Sequence, residues 1–500
     1  MGSGPISQQK GPDLIARVRK WVRRAAITCG LVLVTILGVR AYDAFRAPPL
    51  ELWHTVVPHE IDAAQIDAAD WRNWLAAEDE AFAEVRANVT DQLPAEDRVA
   101  ANRFFIGSPM NASNFKTDWN RSYVLMPEGA PRGAVVLLHG LTDSPYSLRH
   151  VAVLYRELGF VAVGIRMPAH GTVPGALAAV RWEGWLAATR LAVRHARDLA
   201  GAGKPLHVVG YSNGGALALK YSLDSLEDPR LARPDQVVLI SPMIGITGMA
   251  RFAGVLGWPA VFPPFAKAAW LDTLPEYNPF KYNSFPVNGA RQSSQLTRAV
   301  EKQIAAAAAS GKLAQLPPVL TFQSGVDATV STRAVFDTLY RHLPNGRHEV
   351  VLFDLMRGGT YDMFLRPPFR LPLKLFVPAA PRHYAVTVVT NVTGDHAGID
   401  LPMEARTVGA EQTTETAQPI AGRWPRGMYS LSHVALPFPP DDGLYGYQPR
   451  EDFGVFLGAL EVRGERGTLL VNAENLIRAS CNPFFDYLSE RIAQTVPATH

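Results

Sequence analysis

From Arg121 onward the chain repeats one unit, a short run of consecutive apolar residues followed by a turn and an amphipathic stretch. The runs are "GAVVLLHG", "FVAVGIR", "LHVVG", "QVVLISP", "PPVLTFQ" and "HEVVLFDL". They are apolar at nearly every position rather than at every second one, which predicts strands covered on both faces. Between them, "SPYSLRHVAVLYRELG", "EGWLAATRLAVRHARDLA", "GGALALKYSL" and "TRAVFDTLYRHL" carry apolar residues at helical spacing. Strands alternating with helices predict an α/β fold, a mostly parallel central sheet with helices on both faces. Such sheets present their sites at the carboxyl ends of the strands.

Two stretches interrupt this rhythm. Residues 246–316 are aromatic and then alanine-rich, with Phe252, Leu256, Trp258, Phe262, Phe265 and Trp270 in the aromatic part. Residues 356–425 form a second insertion, with a strand-like "YAVTVVTNV" and a polar "TVGAEQTTETAQ". The division expected is a basic segment and anchor over 1–47, an extension over 48–118, and the α/β domain over 119–500. In the extension, Asp70 to Val89 reads as a helix with Trp71, Trp74, Leu75, Phe82 and Val85 on one face and acidic residues opposite.

Charge is distributed unevenly. Residues 1–24 hold six basic side chains against Asp13, a balance of +5, whereas the whole chain sums to +3, so the remainder sums to −2. A basic nucleic-acid-binding body is thereby excluded. The basic block runs directly into "AAITCGLVLVTILGV", Ala25 to Val39, without a charge. As a helix this run covers roughly 22 Å against a hydrocarbon core of roughly 30 Å, and flanking arginines with Trp21 and Tyr42 extend its reach. The expectation is an uncleaved single-pass anchor in the inner membrane, with the basic end cytoplasmic and the bulk periplasmic; the alternative is a signal peptide. Only Cys29 and Cys481 are present, so neither a disulfide between them nor a thiolate metal site is expected.

The chemistry is concentrated at "LHVVGYSNGGALALK". Gly-x-Ser-x-Gly is a weak signal alone, but here a strand precedes it and a helix follows it at once. Gly210 and Gly214 flank Ser212 as a cramped turn demands when it lifts a serine hydroxyl above the sheet. A serine attacking a carbonyl needs a base for its proton and donors for the oxyanion. The amides of Asn213, opening the helix, and of Leu141, in the loop after "VVLLHG", are the candidate donors. His139 in that loop is expected to hold it by hydrogen bonds rather than act as base. In chain order the acid and then the base follow the serine. Asp327, just past "PPVLTF", is the candidate acid, with Asp354 as fallback and with Ser331 and Thr332 better placed to cap the following helix. Of the later histidines, His396 and His433 follow strand-like runs, and only His433 precedes the final helical region.

Together "LLHGLTDSPYS", "RMPAHGTVPG", "GYSNGG", "SGVDATV" and "SLSHVALPFPPDDGLYG" resemble the alpha/beta hydrolases of the monoacylglycerol lipase, lysophospholipase and serine aminopeptidase grouping, in a membrane-anchored bacterial branch. The resemblance runs from about Arg121 to the end. It implies Ser212 as nucleophile, Asp327 as acid, His433 as base, Leu141 and Asn213 as the oxyanion hole, and a helical lid at 246–316 whose Phe252, Leu256, Trp258, Phe262, Phe265 and Trp270 pack it against the body or line an acyl pocket. It also implies acyl esters or lipids as substrates, with no metal or cofactor required. The 106 residues from Asp327 to His433 depart from the family's usual interval and suggest an extra subdomain over the site.

Overall fold

A computed structural model describes residues 11–46, 49–245, 263–327, 329–344, 346–358, 365–367, 373, 377–392, 400–425, 427–458 and 481–498. Four helices come first: α1 Gly11–Arg46, α2 Leu52–Thr55, α3 Ala63–Ala68 and α4 Trp71–Asn88. They are followed by β1 Tyr123–Leu125, β2 Gly133–Leu138, α5 Arg149–Glu157, β3 Phe160–Ile165, α6 Trp182–Ala200, β4 Leu206–Tyr211, α7 Asn213–Asp224 and β5 Gln236–Ile240. The hairpin pair β6 Trp270–Asp272 and β7 Phe285–Pro286 leads into α8 Val287–Ala309, then β8 Val319–Ser324 and β9 Glu349–Phe353. The chain closes with β10 Ala385–Asn391, β11 Leu401–Val408, β12 Glu415–Trp424 and α9 Phe485–Ala493.

Among the described residues ten strands make one sheet in the order β1-β3-β2-β4-β5-β8-β9-β10-β11-β12. From β3 to β10 every neighbouring pair is parallel, and β1, β11 and β12 are antiparallel additions at the two ends. Strands β2, β3, β4, β5 and β8 are buried at each position, as uninterrupted apolar runs require. Apolar residues pack on both faces, with α6, α7 and α8 on one and α5 and α9 on the other. The chain adds β3 to one side of β2 and then β4, β5 and β8 to the other. The crevice where the winding reverses therefore lies between the loops that follow β2 and β4.

The second insertion departs from expectation. Its described part is not a separate body over the site, because β10 pairs with β9 and β11 and β12 continue the same sheet. In the extension, α4 docks through Trp74 and Val85 as expected, with Ala81 buried beside them and Trp71, Leu75 and Phe82 only half-buried, but its acidic side is not wholly in solvent. Glu78 is buried, 3.1 Å from the Arg166 guanidinium, and accepts from the Ser122 hydroxyl at 2.8 Å. Arg166 also pairs with Glu60 at 2.7 Å, so two carboxylates offset one fully buried cation, as burial of charge demands.

Candidate active site

Ser212 sits between β4 and α7 with φ 54° and ψ −115°, a conformation that costs about 1–3 kcal/mol and persists only where the surroundings enforce it. Here the enforcement is backbone. Ser212 N–H donates to the Ile240 carbonyl at 2.9 Å, and its own carbonyl accepts from Gly215 at 3.0 Å and Met243 at 2.9 Å. The flanking glycines are required by space. A Cβ on Gly214 would lie 1.9 Å from the Leu138 carbonyl oxygen, and one on Gly210 would lie 2.2 Å from the Gly214 carbonyl oxygen.

His433 stands beyond the insertion, yet its ring reaches both partners. Its Nε2 is 3.1 Å from Ser212 Oγ and its Nδ1 is 2.7 Å from Asp327 Oδ2. Three contacts hold the returning loop against the ends of β8 and β9. The Ser324 hydroxyl donates to the Leu431 carbonyl at 2.7 Å, Met356 N–H donates to the Tyr429 carbonyl at 3.0 Å, and Leu355 bridges Ser430. The extra strands thus lengthen the sheet sideways while the chain re-enters beside Asp327, and the long interval does not displace the histidine.

The Asp327 side chain is fully buried. Burial raises its pKa, but the facing His433 and the amides of Val330 and Thr329, at 2.9 and 2.8 Å, outweigh it and hold the carboxyl below its ordinary value. The helix that follows is capped by Ser331, whose hydroxyl accepts from Ala334 N–H at 3.2 Å, leaving Asp327 to the histidine. Asp354, the fallback, is bound to the Leu355 amide and to Arg357 at 2.6 Å. His139 bridges Gly140 O at 2.9 Å and Met167 N at 3.0 Å, so its two nitrogens are spent holding the loop. His348 accepts from the Val319 amide and His383 pairs with Glu411, whereas His396 lies outside the described residues.

Ser212 and His433 open onto a cavity of about 470 Å³. Leu141 and Ser212 both lie on its wall, and Asn213 is the first residue of α7. As a first-turn helix amide, that of Asn213 has no intrahelical acceptor and suits an oxyanion, whereas Leu141 stands in a non-helical turn. Gly140 allows the loops to approach: a Cβ there would meet Asp143 Oδ2 at 2.6 Å and Ser212 Cβ at 3.2 Å. The Asn213 side chain is fixed by Ser293 of α8 at 2.7 Å.

The cavity also holds a polar pair that is not among the candidate residues of the sequence motifs. Asp143 lies 3.5 Å from Lys281, and burial pushes its pKa up against the opposing effect of Lys281 and His433. Asp143 stands inside the quoted "HGLTDSPYS" loop, where it was visible. Lys281 lies in an irregular stretch with no periodicity to place it. Of the six lid residues, Phe252, Leu256, Trp258 and Phe262 lie outside the described residues. Trp270 is buried against His54, ring centroids 4.8 Å apart, rather than lining the cavity. Among the described residues no cluster of His, Cys, Asp and Glu has a metal-holding arrangement.

Residues 129–357 match the family model described as serine aminopeptidase, S33. No curated protein matches the chain. Among solved structures the chain is similar to one of the metagenome-derived lipolytic enzymes LipS and LipT, with 20% identity over 47% of this chain and 88% of that one, at a TM-score of 0.38. It is also similar to a soluble variant of monoglyceride lipase from Saccharomyces cerevisiae, with 14% identity over 46% and 81% and a TM-score of 0.38. The monoacylglycerol lipase of Paleococcus ferrophilus is 17% identical over 51% and 98%, with a TM-score of 0.34.

Proposed function

Since this chain belongs to the alpha/beta hydrolases, with its residues 129–357 in the serine aminopeptidase S33 grouping, we propose that it is a serine hydrolase cleaving carboxylic esters through an acyl-enzyme. The observation that carries this reading is the imidazole of His433, which has a buried carboxylate at one nitrogen and a strained serine at the other. Ser212 Oγ attacks the acyl carbon while His433 Nε2 takes its proton. The Leu141 and Asn213 amides receive the oxyanion. Asp327 holds the Nδ1–H tautomer and stabilises the imidazolium, which then protonates the departing alcohol. Water repeats the cycle on the acyl-enzyme and releases the carboxylic acid. No step requires a metal or cofactor.

A cavity of this size with Leu271, Leu274, Phe285, Val434 and Phe438 on its wall suits an acyl chain. Monoacylglycerols, lysophospholipids and other short to medium acyl esters are the substrates proposed. The helix α1 contains an apolar stretch long enough to cross a membrane. With its basic flank it is proposed as a single-pass anchor that leaves the hydrolase domain outside the cytoplasm. The description of the matching family favours a second reading, a peptidase acting on free amino termini. A substrate panel separates them: wild type should turn over 1-monoacylglycerols or lysophospholipids faster than aminoacyl amides, and Ser212→Ala should turn over neither. Faster cleavage of the amides would replace the first reading by the second, and undiminished turnover by Ser212→Ala would remove both.

A further inference from the structure

The helix α1 does not end where its apolar run ends. It continues to Arg46, and its last turns lie against the 263–269 segment that leads into the cavity wall. Up to Ile36 the described side chains of α1 are exposed. Then Leu37, Arg40 and Ala41 are partly covered, and Ala44 is 5% exposed, while Tyr42, Asp43 and Phe45 remain open. The covered positions recur at three- and four-residue spacing, the stripe of a helix docked by one face. Two of the four are alanines, which bring the backbones close. Arg40 closes the contact, donating to the Trp270 carbonyl at 2.8 Å and to the Ala268 carbonyl at 3.5 Å.

The clasped residues adjoin the cavity. Leu271 and Asp272, directly after Trp270, are on its wall, and Leu271 is among the exposed apolar side chains of the described residues. The other side of this segment is fixed as well. The Trp270 ring packs edge-on against His54 of α2, His54 Nε2 lies 3.0 Å from the Ser284 hydroxyl, and that hydroxyl donates to the Leu274 carbonyl at 2.9 Å. The rim is therefore held between α1 and α2. The covered face of α1 begins at Leu37, inside the uncharged run Ala25 to Val39. Because each helical residue advances about 1.5 Å, Arg40 stands within roughly one turn of the end of the apolar run. A guanidinium there, with the exposed rings of Tyr42 and Phe45 nearby, matches the headgroup level of a bilayer.

We propose that the docked end of α1 sets the cavity mouth at the membrane surface, so that the site draws acyl esters directly from the bilayer. Arg40 and Ala44 fix that height. The inference rests on the reading of the chain as an anchored hydrolase, and adds to it a lipid surface as the partner of one defined rim, Trp270 to Asp272.

The test uses the full chain carrying Cys29→Ser, reconstituted in phosphatidylcholine and phosphatidylglycerol vesicles. A bimane is placed on Leu271→Cys or, as control, on Glu227→Cys, an exposed position just beyond the far end of α7 and so roughly 18 Å or more from the nucleophile. Headgroup-depth nitroxide lipids should quench the Leu271 probe several-fold more than the Glu227 probe. Adding Arg40→Ala or Ala44→Glu should reduce that difference. In unlabelled protein the same two substitutions should lower hydrolysis of vesicle-borne 1-monooleoylglycerol about tenfold relative to dispersed p-nitrophenyl butyrate. Equal quenching at the two positions in protein that floats with the vesicles overturns the proposal alone. Failure to float overturns the anchor and the proposal with it. Floating, quenched protein that hydrolyses neither ester overturns the hydrolase reading and leaves the placement of the rim standing.

Discussion

Two buried carboxylates in this molecule each hold a histidine, and of these two pairs only one has a serine at the far ring nitrogen. Asp327 lies 2.7 Å from His433 Nδ1, and Asp442 lies 2.8 Å from His150 Nε2. In both, burial alone would push the carboxyl up, and the partners outweigh it and hold the carboxyl below its ordinary value. The partners differ in kind. Asp442 also accepts from Arg149 at 3.1 Å, from the Tyr146 hydroxyl at 2.9 Å and from the amides of Leu444 and Tyr445. It is thereby the centre of a neutralised cluster that fixes the 438–445 loop beside the cavity. Among the described residues Asp327 accepts from the Gln323 side-chain amide at 3.1 Å and from the Thr329 and Val330 amides but meets no arginine, so a charge appearing on His433 is answered mainly by this one carboxylate. The far nitrogen of His433 meets a serine held at positive φ. A depressed carboxylate beside a histidine is thus a sign of burial and pairing, and the group at the other ring nitrogen decides whether the pair can do work.

Substitutions separate the two pairs, beginning with the largest effect. Ser212→Ala should lower ester kcat by roughly 10⁶-fold, the scale of losing a triad nucleophile, while leaving the thermal unfolding midpoint near that of wild type. Asp327→Asn should lower kcat by about 10⁴-fold, since the amide stabilises the wrong tautomer and no longer balances the imidazolium. Stopped-flow and steady-state assays on p-nitrophenyl esters read both. Asp442→Asn should do the opposite. It breaks a buried, multiply bonded charge, so denaturant titration should show a loss of about 3 kcal/mol, and the fraction that remains folded should turn over within a few-fold of wild type. A 10⁴-fold fall in kcat for folded Asp442→Asn would erase the distinction drawn here.

The smallest effect is on acid stability, and its sign is fixed. Burial pushes His54, His170, His207 and His348 each down to about 4 from 6.5. The unfolded chain therefore binds protons between pH 6.5 and 4 that the fold refuses, and stability falls as pH drops through that window. The contributions of Asp327 and Asp442 run in a lower window: present above 3.8, they are lost as pH falls through their depressed values. Thermal midpoints should decline from pH 7 to pH 4.5 by equal amounts in wild type and in Asp327→Asn, with wild type higher by a constant margin that closes only as pH falls below 3.8 through the depressed carboxylate value.

The legible parts of the chain were those governed by local rules. Continuous apolar runs gave the parallel strands, and Gly-x-Ser-x-Gly between a strand and a helix pointed to Ser212 because the turn itself demands those residues. Glu78 was misjudged because a helix pattern shows which face is apolar and not that Arg166, 88 residues on, waits to pair with an acidic side chain. The strand β12 begins at 415–418 within the stretch read as polar and gave no strand signal, because it is an edge strand exposed along most of its length, and exposure on both faces leaves no alternation to detect. Placing His433 against Asp327 depended on the pins at Ser324, Leu355 and Met356, all contacts between residues distant in sequence. The clasp of Arg40 on Trp270 spans 230 residues and left no mark in either segment.

The central claim is that Ser212 is a nucleophile activated by His433. Labelling with a fluorophosphonate, followed by peptide mass analysis, tests it most directly. Wild type should take up one adduct on the peptide containing Ser212, His433→Ala should label slower by orders of magnitude, and Ser212→Ala should not label. Equal labelling of Ser212→Ala and wild type, or none of folded wild type, would contradict the account.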